Sequence, residues 1–162
     1  TNKNAFVINC YGWGDSVTLE GGNNSGGLIG YGGSDSFAIN CYTTTSVVSA
    51  GNSSIGAVGY IKKSNLQNIY GNAALAQVVG SSKNTGSNAP SVWPTSTTGS
   101  LTLDQMMSGA VSVPSSGQQK ESFVEALNAG VDIFNGATFD QKPEGVILRR
   151  WKSSGTYPVL AD

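Results

Sequence analysis

The sequence predicts a mostly β protein: a short parallel β-helix, or β-solenoid, of about three coils with a small α+β C-terminal cap. The first observation is an internal repeat, since F-x-I-N-C-Y at residues 6–11 recurs at residues 37–42, 31 positions later. The second is that GLIGY at 27–31 recurs as GAVGY at 56–60. Repeats of this length that contain only strand signals indicate stacked β units.

The composition supports the same class. Only 12% of the 162 residues are charged, 22 are glycine, and the net charge is −1. Few charges, many turn residues and short apolar runs are typical of all-β proteins. No run of Lys or Arg forms the basic surface that nucleic acid requires, and no apolar run reaches the roughly 18–20 residues of a membrane span. We therefore expect neither a nucleic-acid partner nor a membrane span in this chain.

Each copy of the repeat is expected to form three short strands. In the first copy they lie at 5–11, 17–19 and 28–31, and in the second the latter two recur at 48–50 and 57–60. Alternation along the first strand places Phe6, Ile8 and Cys10 on one face. A third, decayed copy begins at Leu66 in LQNIYG. There Leu66 aligns with Ala38 and Gln67 with Ile39, so the apolar face shifts by one residue, and a bulge or bend beside the asparagine is expected.

The chain is divided into repeats at 1–80, a crossing loop at 81–100 that contains Trp93, and a cap at 101–162. Thr102 and Gln105 have the spacing of a capping box and predict a helix at about 103–109. Ser116 and Gln119 have the same spacing, which predicts a second helix at about 117–129, ending before Gly130.

The end of the chain is expected to form a β-hairpin from residues 145–152 and 156–160. Because the terminal coil of a repeat stack needs a cover, we expect the cap to close the open end of the solenoid. The apolar side chains predicted to make that contact are Met106, Phe123, Leu127 and Trp151.

The repeated NCY and GGLIGY segments resemble the GLUG-motif repeat proteins of bacterial cell surfaces. The similarity extends to the C-terminal part, where that family has T-x-(D/E)-Q-M, a helix ending in L-N, a Trp and a terminal Y-P-V-L. Here these are Thr102–Met106, Leu127-Asn128, Trp151 and residues 157–160. The resemblance implies an exported, extracellular or cell-surface repeat protein. It does not imply a catalytic residue.

The residues offer little catalytic chemistry. The chain has no His, so relays and metal sites based on imidazole are excluded. Residues 1–86 contain three carboxylates, Asp15, Glu20 and Asp35, which do not recur between the copies. We therefore expect no catalytic residue, no metal and no cofactor.

Cys10 and Cys41 occupy equivalent positions in successive copies. They are interpreted as buried small side chains, since free cysteine is commonly buried in protein cores and nothing in the neighbouring sequence would lower a thiol pKa. A redox or nucleophilic thiol and a disulfide between the two remain alternatives.

The repeat predicts one row of asparagines and two rows of tyrosines, since equivalent positions of successive copies are neighbours. The asparagines at 9, 40 and 68 are expected to form an internal side-chain ladder. The tyrosines form candidate ligand-binding rows, because an aromatic face packs against the apolar side of a pyranose; these are Tyr11, Tyr42, Tyr70, Tyr31 and Tyr60. The other interpretation is that their rings pack beneath loops.

The function favoured by the sequence is that of a non-catalytic bacterial surface or secreted repeat module, serving adhesion or another macromolecular contact. One alternative is a carbohydrate-binding module that uses the stacked tyrosines. Across these interpretations the expected partner is a surface glycan or a protein. A second is a divergent glycan-cleaving enzyme of the β-helix type. Because Phe6 and Ile8 lie so near the start, further coils or a domain upstream are expected.

Overall fold

The computed structural model describes residues 5–19, 24–33, 36–50, 54–61, 66–81, 98–138 and 142–162. Its two helices are α1 (Leu103–Met107) and α2 (Phe123–Gly136). The strands of this part of the chain are β1 (Ala5–Ile8), β2 (Tyr11–Gly12), β3 (Ser16–Leu19), β4 (Asn24–Tyr31), β5 (Ser36–Thr43), β6 (Val47–Ala50), β7 (Ser54–Tyr60), β8 (Leu66–Asn72), β9 (Val79–Ser81), β10 (Thr98–Leu101), β11 (Val111–Ser112), β12 (Gln119–Lys120), β13 (Trp151–Lys152) and β14 (Val159–Leu160).

The repeat copies pair with one another through parallel strands. In the largest sheet, β1 and β2 lie beside β5, β5 beside β8, and β8 beside β10. Equivalent residues of the copies are neighbours there: Phe6 pairs with Phe37, and Cys41 with Ile69. The expected in-register, parallel pairing of the copies is therefore observed.

The other strands of the copies form smaller sheets. Strands β3 and β6 make a two-stranded parallel sheet, and β4, β7 and β9 make a three-stranded one. Val17 pairs with Val48, as the sequence predicts, and Tyr31 pairs with Tyr60. Two short antiparallel pairs, β11–β12 and β13–β14, complete the described strands.

The predicted β-solenoid of about three coils with a C-terminal cap is wrong. The chain is mostly β, but its parallel sheets are separate and do not build a solenoid. The third copy contributes no strand to the β3–β6 sheet, because residues 73–78 form turns and irregular backbone in its place. The last strand of the largest sheet, β10, comes from outside the repeats.

The asparagines of the repeat have an unusual backbone. Asn9, Asn40 and Asn68 adopt φ values of 54°, 54° and 51°, in the left-handed region that asparagine tolerates better than most residues. The bend expected beside the asparagine is thereby confirmed. It also reverses the alternation of the strand: Ile39 packs in one core cluster and Cys41 in another. The prediction that positions 6, 8 and 10 share a face is wrong for this reason.

The two helices test the capping predictions. Thr102 caps α1, and both hydrogen bonds of the capping box with Gln105 are present. The second helix starts later than predicted, at Phe123, where the Ser122 hydroxyl accepts from the Glu125 amide. Gly130 lies inside α2 instead of ending it. The predicted terminal hairpin is present in a shorter form as β13–β14.

The main hydrophobic core lies between a face of the largest sheet and the C-terminal part of the chain. All four predicted contact residues (Met106, Phe123, Leu127 and Trp151) are buried there with Phe37, Ile39, Tyr42 and Tyr70. Helix α2 contacts β5 and β8, the inner strands of the sheet. The C-terminal part therefore covers a sheet face and not an open end.

Some predictions fall on residues that the structure does not describe. Glu20, Asp35 and Trp93, with most of the predicted crossing loop at 81–100, lie outside the described residues. In the part that is described, neither helix has the length and apolar character needed to cross a membrane.

Candidate functional site: an exposed aromatic patch

The structure separates the five tyrosines predicted to bind ligand. Tyr42 and Tyr70 are fully buried, Tyr60 is half-buried, and Tyr11 and Tyr31 are 39% and 66% exposed. Buried rings present no face to a ligand, so the prediction is wrong for Tyr42 and Tyr70. The other interpretation, that the rings are covered by packing, agrees with the burial of these two, but the covering element is a helix and not the loops that were expected.

Helix α2 is the reason for their burial. The Phe123 ring meets Tyr42 and Tyr70 edge to face, with centroids 5.2 and 4.9 Å apart. Such edge-to-face contacts are favourable because of the ring quadrupoles. Burial also raises the pKa of both tyrosine hydroxyls far above the ordinary value, so both stay protonated.

Tyr31 and Tyr60 form a pair on the β4–β7 sheet. Their rings are stacked, with centroids 5.0 Å apart and planes 8° from parallel. Stacking covers one face of each ring. Among the described residues, no side-chain hydrogen bond orients either ring, so this pair is a less well-defined binding surface than the one described next, where such a bond is present.

Three aromatic side chains converge on the surface beside the largest sheet: Tyr11, Trp13 and Tyr157. We call them the aromatic patch. The ring of Trp13 lies 5.2 Å from that of Tyr11 and 5.8 Å from that of Tyr157, measured between centroids. Trp13 is 48% exposed although it is a large apolar residue. Tyr11 is also exposed, and Tyr157 is half-buried. Adjacent aromatic rings at a surface are typical of interaction sites.

Hydrogen bonds fix the orientation of Trp13. Its indole Nε1–H donates to the hydroxyl of Tyr42 at 2.8 Å, and that hydroxyl donates to the carbonyl of Pro158. The next residue, Gly14, donates its amide to the Thr44 hydroxyl at 3.2 Å. The first bond fixes the indole ring and the second fixes the backbone that follows it. A side chain that is already ordered loses less conformational entropy when a ligand binds.

A buried tryptophan supports the patch. Trp151 contacts Tyr11 and Tyr42, with ring centroids 5.8 and 5.6 Å away. Its Nε1–H donates to Asn9 Oδ1 at 2.8 Å, an oxygen that also accepts from Asn40 Nδ2 at 2.7 Å. The predicted asparagine ladder is confirmed for this pair.

The same asparagines join the repeats to the C-terminal part of the chain. Asn9 Nδ2 donates to the carbonyl of Arg149, and Asn40 Nδ2 to that of Leu127. Asn68 Oδ1 accepts from the amide of Ser115. The asparagine row thereby fixes the sheet against α2 and against the segment that carries Trp151.

Two depressions on the described surface have volumes of about 200 and 210 Å³. One is lined by small and apolar residues around Val48 and Leu75, the other by charged residues that include Asp132 and Arg150. Both are smaller than the roughly 300–1,000 Å³ of ordinary small-molecule pockets. Among the described residues, no group of three or more His, Cys, Asp or Glu is placed to hold a metal ion.

The two cysteines are both free thiols. Cys41 is buried, as interpreted from the sequence, but Cys10 is exposed. The expectation that nothing lowers a thiol pKa is wrong, because a hydrogen bond from the neighbouring Cys41 lowers the pKa of Cys10 to about 6. Sequence spacing indicates the pairing of these residues, but it carries no information on the burial that distinguishes them.

Compared with protein-family models, curated proteins and solved structures, the chain matches none. The aromatic patch is therefore the feature of the chain that indicates a function. Sequence reasoning missed two of its three members. Trp13 has Thr44 at the equivalent position of the second copy, so it breaks the repeat, and that departure is the signal that could have found it.

Proposed function

We propose that this chain is a non-catalytic carbohydrate-binding module of a bacterial surface or secreted protein, which serves adhesion by binding a glycan on the aromatic patch. The observation that carries the proposal is the exposed Trp13 ring, fixed by its hydrogen bond to Tyr42 and flanked by Tyr11 and Tyr157. The resemblance of the repeats to GLUG-motif proteins supports the surface or secreted location.

The chemistry of the patch favours a sugar over a flat or charged ligand. Trp13 and Tyr11 are tilted by 40°, and Trp13 and Tyr157 by 56°. The exposed part of the Trp13 ring provides an aromatic face on which the C–H face of a pyranose can stack, and the tilted neighbouring rings limit the extent of that surface. Asp15, two residues beyond Trp13 in sequence, is exposed, and its carboxylate is a candidate acceptor for sugar hydroxyls.

A protein ligand is the other macromolecular partner that the sequence leaves open. Protein contacts of ordinary size bury about 800 Å² on each side around a well-packed apolar centre. The patch consists of three rings that are each partly covered by neighbours. It is better matched to one or two sugar units than to the centre of such an interface.

The test is a glycan array probed with the wild-type chain, Trp13→Ala and Tyr31→Ala. We expect the wild type to select a small group of related glycans, and Trp13→Ala to bind them at least about tenfold more weakly, a loss of ~1.4 kcal/mol or more. Tyr31→Ala is the matched control, because it removes an exposed ring outside the patch, and it should retain binding.

The glycans selected by the array are then incubated with the protein, and their masses are measured by mass spectrometry. The proposal predicts that they remain intact. Cleavage products, binding that is unaffected by Trp13→Ala, or no binding to any glycan would each contradict it.

A further inference from the structure

We propose that Cys10 and Cys41 form a thiol pair that exchanges with external disulfides: Cys10 is the attacking thiol, and Cys41 resolves the mixed disulfide. The exchange is independent of glycan binding. It assigns a modification site to residues that the proposed function does not use.

The register of the largest sheet places the two cysteines side by side. Ile8 pairs with Ile39 and Tyr11 with Tyr42, so Cys10 lies opposite Cys41 on the neighbouring strand. The backbone amide of Cys10 contacts Cys41 Sγ at 3.3 Å. Neighbouring strands are about 4.8 Å apart, which is within the Cα separation of about 4.4–6.8 Å that a disulfide spans.

The asparagine before each cysteine gives the two thiols the same local geometry. Asn9 and Asn40 both have φ of 54°, so the chain bends identically before Cys10 and before Cys41. The bend directs Cys41 away from α2, into the cluster that contains Ala38 and Ile69. The two sulfur atoms therefore lie on the same side of the sheet and not on opposite faces.

The surroundings give the two thiols different roles. Cys10 is an exposed free thiol, so an external disulfide can reach it. Cys41 is fully buried, so an external disulfide cannot reach it until Cys10 has reacted. The lowered pKa of Cys10 and the raised pKa of the desolvated Cys41 agree with this order of attack.

The reaction is written with oxidised glutathione as the disulfide. The Cys10 thiolate attacks one glutathione sulfur, a Cys10–glutathione bond forms, and the other glutathione leaves as a thiolate that takes up a proton. Cys41 then loses its proton and attacks Cys10 Sγ, and the second glutathione leaves as a thiol. The two cysteines are oxidised to one disulfide, and the external disulfide is reduced to two thiols.

The experiment uses the reduced, folded chain in a glutathione buffer, with intact-mass measurement after acid quenching. We expect the wild type to lose two hydrogen atoms in mass, without a retained glutathione, and peptide mapping to find a Cys10–Cys41 bond. Cys41→Ala should keep one glutathione on Cys10. The matched control, Cys10→Ser, should remain unmodified because Cys41 is buried.

Measurements on the wild type alone keep the proposal testable if a Cys41 variant does not fold. A persistent glutathione adduct on wild-type Cys10 would overturn the resolving role of Cys41. The absence of any reaction, in a chain whose circular dichroism is that of the folded protein, would overturn the pair altogether. For wild-type Cys10, the pH at which the alkylation rate is half-maximal should also be well below that of glutathione.

Discussion

Replacing Trp151 by alanine is expected to lower the free energy of unfolding by about 3–5 kcal/mol, the usual range for the removal of a buried tryptophan. The side chain is only 3% exposed and packs against Tyr11 and Tyr42. Its indole also donates to Asn9 Oδ1, so the change removes both packing and a buried hydrogen bond. Urea unfolding followed by circular dichroism measures the effect without relying on tryptophan fluorescence.

Two variants show which part of the effect comes from which contact. Trp151→Phe keeps a ring but leaves Asn9 without the indole donor, and it should cost about 1–3 kcal/mol. Trp13→Ala removes the same side chain from an exposed position and should cost less than ~1.5 kcal/mol. Equal losses for Trp151→Ala and Trp13→Ala would contradict the position assigned to Trp151 beneath the patch.

Gly130→Ala is expected to lower the free energy of unfolding by about 2 kcal/mol. This is opposite to the effect of helix propensity, since alanine in a helix interior is about 1 kcal/mol more favourable than glycine. A Cβ at this position would lie 2.2 Å from Asn40 Oδ1 and 2.8 Å from its Cγ. Asn40 cannot move away easily, because it is fully buried and donates to Asn9 and to the Leu127 carbonyl. The clash therefore outweighs the gain in helix propensity.

Gly136 provides the control for this change. It lies in the same helix, but a Cβ there would have no neighbour within 4 Å. Gly136→Ala should therefore leave stability unchanged or raise it by up to about 1 kcal/mol. If Gly130→Ala stabilised the protein as much as Gly136→Ala does, the close approach of α2 to the asparagine row would be refuted.

The sequence predicts well the features that depend on local or repeated signals. The parallel register of Phe6 with Phe37 follows from direct repetition, and the start of α1 follows from Thr102 and Gln105. The position of the terminal hairpin follows from its turn residues. In each case the residues that determine the structure are close in sequence or occur twice.

Features that depend on tertiary contacts were not predictable in the same way. Gly130 indicates a helix end by local rules, but here glycine is required where α2 meets Asn40. The separation of the sheets was missed because a repeat period fixes which strands pair and not how the resulting sheets are arranged. The burial of Tyr42 and Tyr70 depends on Phe123, more than 50 residues away in sequence.

The candidate site was found only in part. Tyr11 belongs to the repeat and was predicted. Trp13 occurs in one copy only, and Tyr157 is distant in sequence and contacts Trp13 only in the folded chain. A search for repeated residues favours positions that maintain the scaffold. In this chain the proposed binding residue Trp13 is indicated by a large side chain that interrupts the repeat.

The most direct measurement of the proposed function is the NMR signal of the Trp13 indole N–H during titration with a glycan selected by the array. The chain has three tryptophans, and the signal of Trp13 is assigned by its loss in Trp13→Phe. Glycan binding on the aromatic patch predicts a saturable shift of this signal and a smaller change in that of the buried Trp151. An unchanged Trp13 signal at a glycan concentration that saturates binding would show that the ligand binds elsewhere and would refute the proposed site.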